Sequence, residues 1–536
     1  MTSVRAKPRQ LLPVFDLSGR DGVPEAAQVG FKAYNLMRMA AMGLPVPQGF
    51  VLPTEWCRAM QEGKGTKAQL GNALQAGVRE LERASGLGFG SARRPLLVSV
   101  RSGAPVSMPG MMETVLNVGL NENSLAGLLR LAGDHRLAWD SYRRLIQAFA
   151  EIVAHAPAAP FDLALEQALR ENGVELARHL DFRALRNLTQ TYRALYREHA
   201  GHDFPQDPYE QLMAATEAVF ASWNSAKARE YRRLNGLADD MGTAVTVQRM
   251  VFGNAGGSSG AGVGFTRDPS SGEKRLYLDW LPQAQGEDIV SGRRRVSSDE
   301  EIPYWLVQKL SAVGGELEKN FKDAQEFEFT VENGELFMLQ TRTAKRTALA
   351  ALRIAVDQVE EGLITPQEAL LRLASVDVDG IEIRRVKSDQ PPLGRATAAG
   401  TGVAQGPVAF TVKSAQEFAS RGTPAILVRN DVATDDIAGL AVVNGILTAS
   451  GGRTSHAAVV ARQMGKVCLV GCTELHIDEE AGRASLGENI LSEGMMLCLD
   501  GDSGLIYADR PQIVVERPQA LIDRVKAWRA QIEARQ

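Results

Sequence analysis

The apolar positions of this chain change their period several times, and the changes outline an architecture. From about 25 to 115, helix-spaced and strand-like runs alternate around two Gly/Pro punctuations, GLPVPQGF (43–50) and SVRSGAPVSMPGMM (99–112). From about 122 to 237 apolar residues recur at helical spacing, and DSYRRLIQAFAEIV from Asp140 is clearly amphipathic. Strand signals return in TAVTVQRMVFG from Thr243 and continue to MLQTR, which ends at Arg342. Helical spacing resumes in TALAALRIAVDQVEEGL and PQEALLRL, to about 373. The polar, Pro-rich VKSDQPPLGR (386–395) reads as a linker. A compact strand-rich unit follows over 396–508, and PQALIDRVKAWRAQIEARQ is a charged amphipathic helix. No internal repeat or low-complexity tract interrupts the pattern.

Within the strand-rich unit, GILTAS from Gly445 and VCLVGC from Val467 are β-leaning, whereas AAVVARQM between them has helical spacing. Gly465 stands where the left-handed residue after a helix belongs. His456 therefore falls in the first helical turn of a strand–loop–helix–strand unit, with Thr454 or Ser455 as N-cap. Free backbone N–H groups and the positive end of the helix dipole converge there. That environment favours neutral imidazole over imidazolium and stabilises an anion attached to the ring. A histidine that accepts a phosphoryl group needs both. A capping or structural histidine is the commoner reading of a lone residue so placed.

Two other stretches carry candidate chemistry. FGNAGGSSGAGVGFTRDP (252–269) sets glycines at 253, 256, 257, 260, 262 and 264 between strand-like runs. Glycine lets backbone approach an anion closely, so a Gly-rich hairpin over polyphosphate fits. The stretch has no GK[ST] ending, and no GxGxxG here opens a helix, which excludes a P-loop and a dinucleotide fingerprint. In EFEFTVENGELFMLQTR (326–342), period-two alternation puts Glu326 and Glu328 on one face and Phe327 and Phe329 on the other. Asn333–Gly334 is a type I′ turn signal, so the next strand pairs back and carries Gln340 and Arg342 on a shared face. Adjacent carboxylates repel, and Mg²⁺ bound jointly with substrate phosphates relieves that repulsion; an ordinary solvent-facing sheet surface is the alternative. Lys32 and Arg101 are cations beside glycines near strand ends, each a phosphate ligand or a plain surface charge.

Composition narrows the picture. A chain of 536 residues exceeds one core, and 44% hydrophobic with 23% charged residues is ordinary for globular protein. A formal net charge of −4 gives no reason to expect a nucleic-acid partner, and Arg293–Arg295 reads as a solvated loop. The first residues, MTSVRAKPRQ, lack the apolar core of a signal peptide, and no apolar run approaches membrane-spanning length. Cys57, Cys468, Cys472 and Cys498 are few and scattered, which favours buried free thiols over a zinc knuckle. These features predict a reduced, cytoplasmic protein without a membrane partner.

Taken together, KAYNLMRMAAMGLPVPQGF, SVRSGAPVSMPGMMETVLNVGL, GTAVTVQRMVFGN, SGAGVGFTRDPSSGEK, AQGEDIVSG, LEKNFKDAQEFEF, MLQTRTAKRTA and GILTASGGRTSHAAVVARQMGK resemble the pyruvate, phosphate dikinase family, in that family's order from about 20 to 508. The resemblance implies an α+β and α/β multidomain chain. An ATP-grasp nucleotide domain would span 1–345 with its helical insertion at about 122–237. A helical linker (346–395), a swivelling β/β/α phosphohistidine domain (396–508) and a C-terminal helix (509–536) would follow. It implies that ATP and phosphate charge His456 through the β-phosphoryl group, giving AMP. Lys32 and Arg101 would bind ATP phosphates under the 256–264 loop, including Gly257, Ser259, Gly260 and Gly262. Glu326 and Glu328 would hold Mg²⁺ and nucleotide, with Asp279, Gln340 and Arg342 beside them. Thr454 matches a threonine whose phosphorylation silences the plant enzymes.

Three departures qualify this. The family usually has Asp then Glu in the metal strand, where this chain has Glu326 and Glu328. It usually has Glu in the strand after GEK, where this chain has Asp279. One carboxylate is longer and the other shorter, which preserves reach if both face one nucleotide. The family also carries a (β/α)₈ barrel that binds pyruvate and phosphoenolpyruvate, supplies a cysteine acid and forms the dimer interface. No such barrel is readable in this sequence, so the expectation is a charging half that works with a separate barrel subunit, without the family's homodimer. Two alternatives stay open: the same half-reaction with another acceptor, as in phenylphosphate synthase, or a non-catalytic nucleotide-binding regulator.

Overall fold

The computed structural model describes residues 12–106, 108, 111–286, 302–432, 440–452, 455–478 and 482–534, the side chains of His456, Val459 and Gln463 excepted. Thr454 and Arg293–Arg295 lie outside the described residues. The chain divides into two compact units, Met1–Ser259 with Val331–Gln340, and Gly260–Thr330 with Thr341–Gln536. Among the described residues no helix is long and apolar enough to cross a membrane.

The first unit is built on a five-stranded antiparallel sheet in the order Phe15–Asp16, Gly49–Leu52, Ala244–Arg249, Val98–Gly103, Thr114–Val118. Its central strand is buried along almost its whole length, Thr246 and Gln248 included, and Val247 pairs with Phe50 on one side and Val100 on the other. The helical spacing of 122–237 resolves into six helices between Glu122 and Leu234. Most start on a side-chain cap: Asn121, Asp134, Asp181, Asp207 and Ser225 each accept a backbone N–H two or three residues on. Asp140, polar within the amphipathic helix His135–Ile152, is buried there. Burial alone would raise its pKa, but Arg143 at 2.7 Å and Arg144 at 2.8 Å hold its carboxyl well below the usual range.

In the second unit a four-stranded sheet runs in the order Glu335–Thr343, Gln325–Glu332, Gly260–Phe265, Tyr277–Pro282, and the tip of its first hairpin belongs to the first unit. The turn residues Asn333 (φ 50°) and Gly334 (φ 82°) take the left-handed conformations the sequence calls for. The glycine run departs from its expected form. The loop ends at Ser259, and Gly260, Gly262 and Gly264 stand inside a central strand. A Cβ on Gly260 would lie 2.2 Å from Trp280, on Gly262 2.1 Å from Phe329, and on Gly264 2.4 Å from Phe327. The stripe makes room for aromatic rings, and the ladders on both sides take up its backbone groups. Gly262→Ala should therefore cost about 2 kcal/mol or more in overpacking. Gly257→Ala, where a Cβ meets nothing within 4 Å, should stay within about 0.5 kcal/mol. Urea-unfolding midpoints of the two variants check the contrast.

The rest of the second unit centres on an eight-stranded mixed sheet. Its middle strands Val403–Ala409, Ile426–Arg429, Gly445–Thr448 and Val467–Val470 are mutually parallel. One face packs on the His456 helix through Ala457, Ala458, Val460 and Ala461, and the other covers a second core with Leu469, Leu486 and Leu497. The helix Gln519–Glu533 buries Ile522, Val525 and Trp528 against the helices Ala348–Glu360 and Pro366–Arg372. Its apolar stripe is thus consumed within the unit. All four cysteines are buried free thiols, as their scatter suggested. Burial pushes Cys468 up to about 12 and Cys498 to about 11, and raises Cys57 and Cys472 as well. An Ellman titration at pH 8 should find no reactive thiol in the native protein and all four after denaturation.

Candidate functional site

His456 is the first residue of the helix His456–Gln463, which follows the strand Gly445–Thr448 at the carboxyl edge of the parallel strands. Open α/β sheets bind ligands along that edge. Ser455 is the N-cap, and its Oγ accepts the Ala458 N–H at 3.4 Å. The intervening loop is tied to its neighbours: Ala449 N donates to Arg429 O at 3.0 Å, Ser450 Oγ to Asn430 O at 2.6 Å, and Ser455 N to Gly452 O at 3.0 Å. Gly451 needs its left-handed φ of 96°, and Gly465 at φ 64° follows the helix end as expected. Near the far end of the helix, buried Arg462 donates to Ala399 O at 3.3 Å and lies over the Phe265 ring. The sequence reading passed over Arg429, which ends the adjacent parallel strand in register with Thr448. Its Nη1 donates to Phe410 O at 3.2 Å, while its buried Nε has no hydrogen-bond partner among the described residues.

The carboxylate pair is not a solvent face. Glu326 is 6% exposed and Glu328 half-buried, while Phe327 and Phe329 are buried on the opposite side of the strand. The hairpin register brings Arg342 into an ion pair with Glu326. Burial opposes the Arg342 charge, but the hydrogen bond and charge of Glu326, with the charge of Glu328 behind it, outweigh burial and raise its pKa. Lys345 nearby is pushed down, chiefly by burial and then by Arg342. Gln340 shares the parity of Arg342 along its strand. Asp279 pairs in register with Val263, whereas Trp280 pairs with Gly262 under Phe329. Alternation then puts Asp279 on the sheet face that carries Glu326 and Glu328. Asp279, Glu326 and Glu328 thus share one face of the sheet.

Among the described residues there is no group of three or more His, Cys, Asp or Glu placed to hold a metal ion. The Glu326–Glu328 pair suits Mg²⁺, which takes one or two protein carboxylates and completes its shell with water and substrate phosphates. The donor set fits that ion.

In the first unit, Lys32 lies in the helix Ala26–Ala41 just past a break at Gly30 (φ 78°). A Cβ on Gly30 would meet Gly103 O at 2.0 Å, and Phe31 N donates to Ala104 O at 2.8 Å. This close backbone approach brings the Lys32 turn onto the end of the strand Val98–Gly103, which carries Arg101. Arg101 is half-buried and makes no ion pair among the described residues. Gly257 is exposed at the tip of the glycine-rich loop, whereas Ser259 is buried and accepts the Asn333 N–H at 2.9 Å. Gly260 and Gly262 lie in the strand beyond it.

Comparison with known proteins agrees with these motifs. The family model of the pyruvate phosphate dikinase AMP/ATP-binding domain matches residues 65–304, and that of the PEP-utilising enzyme mobile domain matches 422–504. Pyruvate, phosphate dikinase of Clostridium symbiosum is 43% identical over 490 residues, covering 89% of this chain and 56% of the relative. The chloroplastic pyruvate, phosphate dikinase of Flaveria pringlei is 40% identical over 512 residues (94% and 54%), and the pyruvate, phosphate dikinase of Giardia intestinalis 41% over 510 (93% and 58%). The chain spans about half the length of the curated relatives it matches. With two of the family's domain models matched in order and about nine-tenths of its length aligned at this identity, the chain belongs to the pyruvate, phosphate dikinase family.

Proposed function

We propose that this chain is an ATP-dependent phosphotransferase in which the β-phosphoryl group of ATP is carried on His456. The balanced half-reaction is ATP plus phosphate plus His456 giving AMP, pyrophosphate and phosphohistidine. The observation that carries this reading is the position of His456 at a capped helix start on the carboxyl edge of parallel strands, inside the stretch that matches the mobile domain. The transfer uses the lone pair of a ring nitrogen of neutral imidazole, which attacks the β-phosphorus. The bridging oxygen to the α-phosphoryl group leaves with AMP, and the γ-phosphoryl group goes to phosphate.

Glu326 and Glu328 would hold Mg²⁺, which when bound neutralises charge on the phosphates. Arg342 orients Glu326, and Asp279 and Gln340 add polar groups for the nucleotide on the same strands' face. Lys32 and Arg101 are assigned to the phosphates, and Gly257 to the loop tip that covers them. With Gly260 and Gly262 in the sheet, their assigned contribution is the flatness that seats Trp280 and Phe329. We assign pyruvate as the final acceptor, at a barrel site on another domain or subunit, and the compartment as cytoplasmic. Thr454 is assigned a regulatory role only by resemblance.

The test is incubation with β-labelled ATP, Mg²⁺ and phosphate. An acid-labile, base-stable label at His456, with up to one equivalent of AMP, is expected. Label elsewhere, or none, overturns the assignment.

A further inference from the structure

The sequence marks a glycine-rich loop and an Asn-Gly turn as separate features about 75 residues apart. In the first unit they are one structure. Phe252 N, where the loop begins, donates to Glu332 Oε1 at 2.9 Å. Ser259 Oγ, where it ends, accepts the Asn333 N–H at 2.9 Å. A Cβ on Gly256 would lie 3.1 Å from Asn333 Oδ1, so the turn side chain packs directly under the loop. Arg249 Nη2 reaches the other Glu332 oxygen at 3.4 Å and steadies the carboxylate from the strand that feeds the loop. Between the two attachments the loop folds on itself, with Ser259 N donating to Gly256 O at 2.9 Å and Ala255 N to Phe252 O at 3.3 Å. Only Gly257 and Ser258 are exposed.

We propose that the turn Glu332–Gly334 clamps both ends of the glycine-rich loop and holds its tip ready for nucleotide phosphates, which makes Glu332 a positioning residue for ATP. The physical basis is conformational entropy: a loop fixed at both ends has less freedom to lose when it orders over a ligand. The turn also joins the strands that carry Glu326, Glu328, Gln340 and Arg342. One hairpin therefore bears the carboxylates along its strands and the loop clamp at its tip. Glu332 itself does not touch the substrate. This inference rests on the reading of the loop as a phosphate cover.

The experiment first measures amide hydrogen exchange of 253–258 in the parent protein with and without a non-hydrolysable ATP analogue and Mg²⁺. Protection by the analogue is expected; its absence would remove the phosphate-cover reading, and this inference with it. Glu332→Ala, which removes one attachment, should speed exchange of the free loop at least tenfold. It should also raise the ATP concentration for half-maximal His456 charging about tenfold, with the saturated rate within about twofold of the parent. Glu332→Gln keeps the acceptor for Phe252 N–H and should recover most of both losses. Ser259→Ala releases the other end with little change of volume and should shift the same two readouts, which keeps the test decisive if the first variant folds poorly. Faster exchange without a change in ATP dependence, or parental exchange in both alanine variants, overturns the clamp while leaving the phosphotransferase reading intact.

Discussion

His456→Asn should bind ATP with parental affinity and take no label from its β position. Asparagine approximates the size of the ring and keeps a polar group in the first helical turn, but it has no nucleophilic lone pair for phosphorus. The helix is held by residues other than 456: Ser455 caps it, and Ala457, Ala458 and Ala461 pack it on the sheet. Loss of label should therefore be complete, at least about a thousandfold, with an unfolding midpoint close to that of the parent. Nucleotide binding, followed by equilibrium dialysis, should change by less than about twofold. Retained labelling would move the phosphoryl carrier to another residue. Loss of ATP binding together with the label would show that the substitution had damaged the nucleotide site and not the acceptor.

Replacing Glu326 and Glu328 together by Gln should slow His456 charging by about a hundredfold or more, because phosphoryl transfer depends mainly on positioning and charge stabilisation. The two carboxylates are not equivalent. Glu326 is buried and paired with Arg342, so Glu326→Gln also leaves a guanidinium without its charge partner and should lower the unfolding midpoint. Glu328 is half-buried and makes no ion pair among the described residues, so Glu328→Gln is the cleaner probe. It should slow charging about tenfold, leave stability unchanged, and be partly rescued by raised Mg²⁺. That rescue separates loss of metal affinity from loss of fold. An unchanged rate in the double variant would reduce the pair to ordinary sheet residues.

The contrast between these carboxylates shows where local sequence information ends. Alternation in EFEFTVE correctly separates the Glu face from the Phe face, because side chains on a strand point to opposite sides with period two. The same alternation is silent about what covers each face. The solvent-facing alternative fails here because Arg342 returns beside Glu326 and Asp279 shares that face from the far edge of the sheet. The glycine run is the converse case. Its composition suits a phosphate loop, yet from Gly260 onward it serves Trp280, Phe327 and Phe329, which arrive from other strands.

By itself the sequence determined whatever depends on neighbours along the chain. The Asn333–Gly334 turn, an N-cap at Thr454 or Ser455, the Gly465 helix end, the helical stretch from Glu122 to Leu234 and the position of His456 in its first turn all follow from local φ/ψ preference and periodicity. The family motifs, read in order, carried the rest of the chemistry. Only the tertiary structure decided which distant segments meet. It set Gly30 against Gly103, consumed the apolar stripe of the helix Gln519–Glu533, joined Glu332 to the start of the glycine loop and closed Arg342 onto Glu326. Local pattern fixes the direction in which a side chain points, but its partner is chosen by packing across tens of residues, where burial and charge pairing outweigh any local preference.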